Sequence, residues 1–268
     1  MLFVERILAL AAAAVVAICL GVGMMILAFS PARPGGAFSA LSGPIDLATA
    51  RQIVETEIAQ APEYARFFAR LRETFTGDYE KTLQEFAERL SQTKTEQSVD
   101  YYLSEAVRRL RQSRGSLAAK ADPEAMSRVF AEQLAVLQAV AREDKKLCVG
   151  FLYGATNQDF QRFAAARRPL VAQMATASLE AMVSGKTKNL ARSQPTEADF
   201  KTLETALAAR GLDKAEIDAL LDGKMPDPPL DDARMCAAGQ TYLEVLRTLP
   251  EASRTRIYGL ALELMAKS

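Results

Sequence analysis

The pattern of hydrophobic and polar positions changes character near residue 30. Before that point, the run from Ile7 to Phe29 holds 23 residues without a charge, ILALAAAAVVAICLGVGMMILAF. A helix rises about 1.5 Å per residue, so this run would be roughly 35 Å long and would cross a hydrocarbon core of ~30 Å. We therefore predict a membrane anchor over residues 1–29, with residues 7–29 as a transmembrane helix in contact with the lipid bilayer.

A cleaved signal peptide is the alternative interpretation of the same run. Secretory apolar segments are about 7–15 residues long and end at a small-x-small cleavage site. Here the run is longer, and the candidate site Ser30-Pro31-Ala32 lies at its far end. The pattern favours an uncleaved anchor, and it leaves the question of cleavage open.

Small residues recur at every fourth position within the anchor, namely Ala9, Ala13, Ala17 and Gly21. Residues at this spacing lie on one face of a helix, and small side chains allow two helices to approach closely in lipid. They form a candidate packing face through which the chain would make a homo-oligomer, although an alanine-rich segment also produces this pattern by chance.

After the anchor, the chain reads as a flexible linker followed by a helical domain. Residues 30–45 are rich in Pro, Gly and Ser, which is typical of a linker. The domain is predicted over 46–268, with a possible sub-boundary near 116–122. Its clearest helical face advances 22 positions in six steps, close to the α-helical period, and consists of Phe68, Leu71, Phe75, Tyr79, Leu83, Phe86 and Leu90.

Capping signals and turn residues predict the helices that follow. Asp122-Pro123-Glu124 is typical of a helix start, and the apolar pattern continues from there to Gly154. Further helices are expected from about 157 to 182 with a bend near Pro169, as a short pair within 196–222, and around 231–248 and 251–266. No segment has a convincing strand pattern. The predicted fold class is all-α: one N-terminal transmembrane helix and a multi-helix soluble domain.

Composition and charge exclude several classes of function. Lys plus Arg equals Asp plus Glu at 33 each, so the chain lacks the basic field that would attract nucleic acid. The chain has no histidine, which excludes Ser-His and Cys-His nucleophilic pairs and most zinc sites. It also contains no phosphate-binding glycine loop. We predict no catalytic, cofactor-binding or metal residues and no cofactor.

One enzymatic alternative survives these exclusions. A helical enzyme that cleaves cell-wall glycan can use a single carboxylate for acid/base chemistry. Glu132 and Glu143, which lie on the apolar helix after Asp122, are the candidates.

Two cysteines lie outside the anchor, Cys148 and Cys236, while Cys19 lies within it. An even pair in an exported domain is a disulfide candidate. Two buried free thiols are the alternative, because cysteine is among the most buried residue types. We predict that Cys148 and Cys236 lie on adjacent packed helices and are bridged.

Four arginines within seven residues, Arg108, Arg109, Arg111 and Arg114, form a candidate patch for an anionic partner. The same cluster is typical of the solvated end of an amphipathic helix, where basic side chains complement the helix dipole. We favour the second interpretation, because no aromatic residues alternate with these arginines.

The helix pair within 196–222 invites comparison with a helix-turn-helix. Its second helix, however, carries Lys214 against four acids, Asp213, Glu216, Asp218 and Asp222. Phosphate groups of DNA would repel such a helix, so we expect no nucleic-acid binding.

Together these features predict a single-pass protein of the inner (cytoplasmic) membrane whose soluble domain is periplasmic. We expect this domain to bind or scaffold a protein partner in a bacterial cell envelope, without catalysis. Positive charges give almost no bias in orientation, because Arg6 and the α-amino group on the short side are balanced by Arg33 and Arg51 on the long side. The alternatives are the glycan-cleaving enzyme and a cytoplasm-facing, membrane-tethered interaction module.

Overall fold

The computed structural model describes residues 45–94, 97–154, 157–224 and 226–267. Within these ranges the chain forms twelve α-helices and one 3-10 helix and contains no strand. The predicted all-α class is therefore confirmed. The predicted transmembrane helix, residues 7–29, lies outside the described residues, and none of the helices inside them is long and apolar enough to cross a membrane.

The helices follow one another with short connections. In the first part of the chain they are α1 (Leu47–Ala59), α2 (Pro62–Thr74), α3 (Thr76–Thr93), α4 (Val99–Arg114) and the 3-10 helix (Gly115–Lys120). The second part contains α5 (Pro123–Glu143), α6 (Lys145–Leu152), α7 (Gln158–Ala166), α8 (Arg168–Lys188), α9 (Glu197–Ala209), α10 (Lys214–Asp222), α11 (Asp232–Thr248) and α12 (Glu251–Lys267).

The predicted helix starts are confirmed by their caps. The side chain of Asp122 accepts a hydrogen bond from the Ala125 backbone N–H at 2.9 Å, with Pro123 at the first helical position. Asp122 also accepts hydrogen bonds from Ser184 and Lys188 of α8, at 2.7 and 2.9 Å, and so ties the start of α5 to the end of α8.

Two predicted helices are each divided in the structure. The apolar helix expected to run to Gly154 ends at Glu143, because Asp144 is extended and caps a new helix through the Leu147 N–H. The helix expected over 157–182 is two helices that meet at Arg167, and the second continues to Lys188. Asn189 ends it in the left-handed conformation, with φ of 47°.

The chain divides into two compact units, which contain the described residues 45–110 and 111–267 respectively. The predicted sub-boundary near 116–122 stays a prediction, since compactness does not test whether either part folds alone. In the first unit, α1 and α2 pack on α3. All residues of the predicted face from Phe68 to Leu90 are buried except Tyr79, and the buried Tyr64 hydroxyl donates to Asp100 at 2.6 Å.

In the second unit, α8 and α12 pack on the 3-10 helix, and α5 packs on α8 and α11. The contact between α8 and the 3-10 helix requires glycine at position 185. A Cβ atom there would lie 1.8 Å from the carbonyl oxygen of Leu117. This close approach holds α8 against the 3-10 helix, and α5 also contacts α12.

Candidate functional site

The predicted cysteine pair is brought together in the second unit. Cys148 on α6 and Cys236 on α11 are both fully buried, with Cα atoms 5.7 Å apart and sulfur atoms at the bonding distance of 2.03 Å. The expectation that the two residues lie on packed helices and are paired is confirmed. Packing around the pair is close, since a Cβ atom on Gly239 of α11 would lie 2.6 Å from the Leu152 side chain.

The predicted arginine patch lies at the end of α4, and two of its arginines form ion pairs with glutamates. Arg108 and Arg109 donate to Glu105 one turn earlier, with Nε–Oε distances of 2.9 and 3.0 Å. Arg109 also pairs with Glu85 of α3. Arg111 and Arg114 occupy the last turn, where positive charge complements the helix dipole. A role for the patch in binding an anionic partner stays a prediction.

The remaining predicted residues are found in different places. Ala9, Ala13, Ala17 and Gly21 lie outside the described residues. Glu143 ends α5 and pairs with Arg167. Glu132, by contrast, lines an open cleft in the second unit.

This cleft, which we call the α5–α12 cleft, has a volume of about 520 Å³. It is lined by Glu124, Ser127, Arg128, Ala131, Glu132, Arg247, Arg254 and Tyr258. Pockets that hold small molecules are typically ~300–1,000 Å³ in volume, so the cleft is large enough for a metabolite-sized ligand.

Helical spacing explains why these residues share one cleft. On α5, Glu124, Arg128 and Glu132 follow one another at intervals of four and lie on one face. Arg254 and Tyr258 are likewise four residues apart on α12. Arg254 Nη1 donates to the carbonyl oxygen of Arg247 at 3.0 Å, so it satisfies a free carbonyl at the end of α11 and keeps the two arginines close together.

Tyr258 forms the floor of the cleft. Its side chain is 1% exposed, and its ring stacks on Phe130 of α5 with centroids 3.9 Å apart. The hydroxyl is buried and has no hydrogen-bond partner among the described residues. Burial raises the pKa of Tyr258 to about 12, although the positive charges of Arg254 and Arg247 oppose that shift. The hydroxyl therefore remains protonated, as a donor, throughout the physiological range of pH.

The charges in the cleft are only partly compensated. Arg128 lies 3.8 Å from Glu124. Within the described residues, no carboxylate lies within 4.0 Å of the guanidinium of Arg247 or Arg254, and no cation lies that close to Glu132. Two cations and a buried donor thus lie together on the α11–α12 side, and a carboxylate lies on the α5 side.

The sequence does not reveal this site, because its two walls are more than a hundred residues apart in the chain. Neither Arg247 nor Arg254 belongs to a dense cluster of charged residues in the sequence. Tyr258 occupies an apolar position in the pattern of its helix, as a core residue would. Only Glu132 was a candidate beforehand, for its position on an apolar helix.

Metal ligands are not grouped in the part of the chain that the structure describes: no three His, Cys, Asp or Glu residues there are placed to hold an ion. The expectation that the protein uses no metal or cofactor stays a prediction. A scan against protein-family models, a search of curated proteins and a search of solved structures found no match to this chain.

Proposed function

We propose that the chain is a membrane-anchored helical protein whose domain is exported to the periplasmic side of a bacterial inner membrane and acts there by binding or scaffolding. The observation that carries the proposal is the pairing of Cys148 with Cys236. Disulfides form and persist in oxidising compartments and are rare in the cytosol. The length of the apolar run from Ile7 to Phe29 supports the anchor.

The α5–α12 cleft supports binding as the mode of action. It is open, it is large enough for a small ligand, and Arg247 and Arg254 have no carboxylate partner among the described residues. The equal numbers of positive and negative residues and the acidic helix α10 argue against a nucleic-acid partner.

A topology reporter fused after residue 268, together with a thiol titration, tests this proposal. We expect a reporter that is active only outside the cytoplasm to be active. In a Cys19→Ser background, which removes the thiol of the anchor, we expect no free thiol before reduction and two after it. A reporter active only in the cytoplasm, or two free thiols in unreduced protein, would favour the cytoplasm-facing interaction module instead.

Glycan cleavage is the second candidate function, and the position of Glu132 favours it. This carboxylate lines the cleft together with Arg254 and Tyr258, as an acid/base residue of a single-carboxylate enzyme would. The test compares cell-wall glycan incubated with the full-length protein, with Glu132→Gln and with Glu143→Gln, whose site lies outside the cleft. Glycan release that is lost in Glu132→Gln alone would replace the binding proposal with the enzyme.

A further inference from the structure

We infer that the α5–α12 cleft binds a small molecule that carries a carboxylate group, held by Arg247, Arg254 and the hydroxyl of Tyr258. The inference rests on the proposed binding role but does not depend on export. The reporter fusion can therefore fail while this site holds, and the absence of carboxylate binding would leave the export proposal standing.

Arg247 and Arg254 both have hydrogen-bond donors without an acceptor among the described residues. Arg247 makes no side-chain hydrogen bond or ion pair with another described residue. Arg254 contacts the carbonyl oxygens of Arg247 and Leu249 through Nη1, which leaves its Nε and Nη2 donors for another acceptor. A guanidinium presents a planar fork of donors that matches the two oxygens of a carboxylate.

The Tyr258 hydroxyl is a further donor in the cleft, and it is buried. A buried donor without an acceptor is unfavourable in the free protein, and a ligand oxygen that accepts from it relieves that cost. Arg247 is exposed and Arg254 is half-buried, so their long side chains can move to admit a ligand to the floor of the cleft. The ring of Phe130, which stacks on Tyr258, keeps the tyrosine in position when the arginine side chains move.

The carboxylate of Glu132 influences which anions the cleft prefers. Glu132 lines the same cleft and has no cation within 4.0 Å among the described residues, whereas Glu124 lies 3.8 Å from Arg128. The negative charge of Glu132 opposes a doubly charged phosphate twice as strongly as a singly charged carboxylate at the same distance. The two glutamate side chains can accept hydrogen bonds from an amine or hydroxyl elsewhere on the ligand. Peptide ends and sugar acids both carry a carboxylate beside such donors.

Calorimetric titration of the full-length protein in detergent tests the ligand class. The probes are the dipeptide alanyl-alanine, its C-terminal amide, glucuronate and inorganic phosphate at equal ionic strength. We expect alanyl-alanine or glucuronate to bind, and the one that binds identifies the source as peptide or sugar acid. The amide should bind at least tenfold more weakly than the dipeptide, since the guanidinium lacks its charged partner. Binding of neither carboxylate, or tighter binding of phosphate than of both, would overturn the assignment.

Three variants locate the site. Arg247→Gln and Tyr258→Phe should each weaken carboxylate binding roughly tenfold, and Arg162→Gln, at an exposed arginine of α7, should leave it unchanged. Tyr258→Phe should at the same time raise the melting temperature of the free protein, because it removes a buried donor without a partner. A purely structural tyrosine would not combine gained stability with lost binding. Unchanged affinity in both cleft variants would overturn the proposal.

Discussion

Helix α12 carries two arginines, two residues apart, in opposite environments. On one side, Arg256 grips the buried carboxylate of Asp199, with Nε–Oδ2 and Nη2–Oδ1 distances of 2.8 and 2.6 Å. On the other side, Arg254 lines the α5–α12 cleft, and no described carboxylate lies within 4.0 Å of it. Both side chains contact the fold, since Arg254 donates to backbone carbonyl oxygens, but only Arg256 has a carboxylate partner. The tertiary partner, and not the residue type, therefore decides whether the charge of an arginine is paired within the fold.

The carboxylate of Asp199, which Arg256 of α12 contacts, accepts further hydrogen bonds. Besides Arg256, the carboxylate accepts from the backbone N–H and the hydroxyl of Thr196, at 2.7 and 2.9 Å. Arg256 is the main cause of a pKa for Asp199 that lies well below its ordinary value. A buried carboxylate that accepts four hydrogen bonds links α9 to α12. On the cleft side, by contrast, Arg254 keeps its Nε and Nη2 donors without an acceptor among the described residues.

Loss of the disulfide should lower the free energy of unfolding more than loss of any of the polar contacts compared below. Replacing both Cys148 and Cys236 by alanine opens a loop with a sequence separation of 88. On the chain-entropy account we expect the free energy of unfolding to fall by about 4–5 kcal/mol. Urea unfolding of the wild type and the double variant measures it, with Cys19→Ser as the control. A wild type whose midpoint is insensitive to reductant would contradict this expectation.

The ion pair of Arg256 should produce the next largest effect. Asp199→Ala leaves the half-buried guanidinium without its carboxylate and removes two hydrogen bonds at the start of α9. We expect a loss of about 2–4 kcal/mol in the free energy of unfolding. Arg247→Gln, a substitution on the cleft side, should lower the free energy of unfolding far less, because that guanidinium has no carboxylate partner among the described residues. A double-mutant cycle with Arg256→Gln would show a coupling near zero if the pair were unimportant.

Asp199 also makes a prediction about acid. Its folded pKa lies below the unfolded value of about 3.9, so its contribution to stability is fully present above that pH and is lost as the pH falls towards the folded pKa. Unfolding measured between pH 7 and about pH 2 should therefore show a steeper decline in the wild type than in Asp199→Asn. Parallel pH profiles would contradict this account.

The helices were largely predictable from the sequence, because their signals are local. Asp122 before Pro123, and Asp213 with Glu216, specify helix starts within four residues, and both caps are present. The break at Asp144 was missed for a related reason. An aspartate within a continuous apolar pattern reads as one exposed helical position, although here it caps a second helix.

The α5–α12 cleft could not be predicted in the same way. Its walls come from residues 124–132 and 247–258, and their meeting depends on the packing of α5, α11 and α12. Local charge density does not point to the cleft either: the densest arginine cluster, at Arg108 and Arg109, lies at the end of α4 and pairs with Glu105 and Glu85. The cysteine pair was predictable only because two cysteines outside the predicted anchor allow a single pairing.

The buried Tyr258 hydroxyl on the cleft side makes stability depend on pH in the alkaline range. Its pKa is raised to about 12, against an ordinary value of 10, so the stability from keeping it neutral is complete below pH 10 and is lost as the pH rises through 12. At about pH 11 the wild type should have lost roughly 1 kcal/mol more than Tyr258→Phe, relative to neutral pH. Urea unfolding at the two pH values measures the difference. An equal loss in both proteins would show that the hydroxyl reaches solvent in the folded state.

The smallest expected effect separates a paired surface arginine from an unpaired one. Arg109 and Glu85 have side chains that are 32% and 28% exposed, and pairs of this kind contribute up to about 1 kcal/mol and weaken in salt. Arg109→Gln should therefore lower the free energy of unfolding slightly at low salt and hardly at all at high salt. Arg247→Gln should change it by less than about 0.5 kcal/mol at either salt concentration, because that guanidinium has no carboxylate partner among the described residues. Urea unfolding of both variants at low and high salt compares them directly. If Arg247→Gln destabilised the protein as much as Arg109→Gln, Arg247 would belong with the arginines that stabilise the fold, and the unpaired charge of the cleft would be that of Arg254 alone.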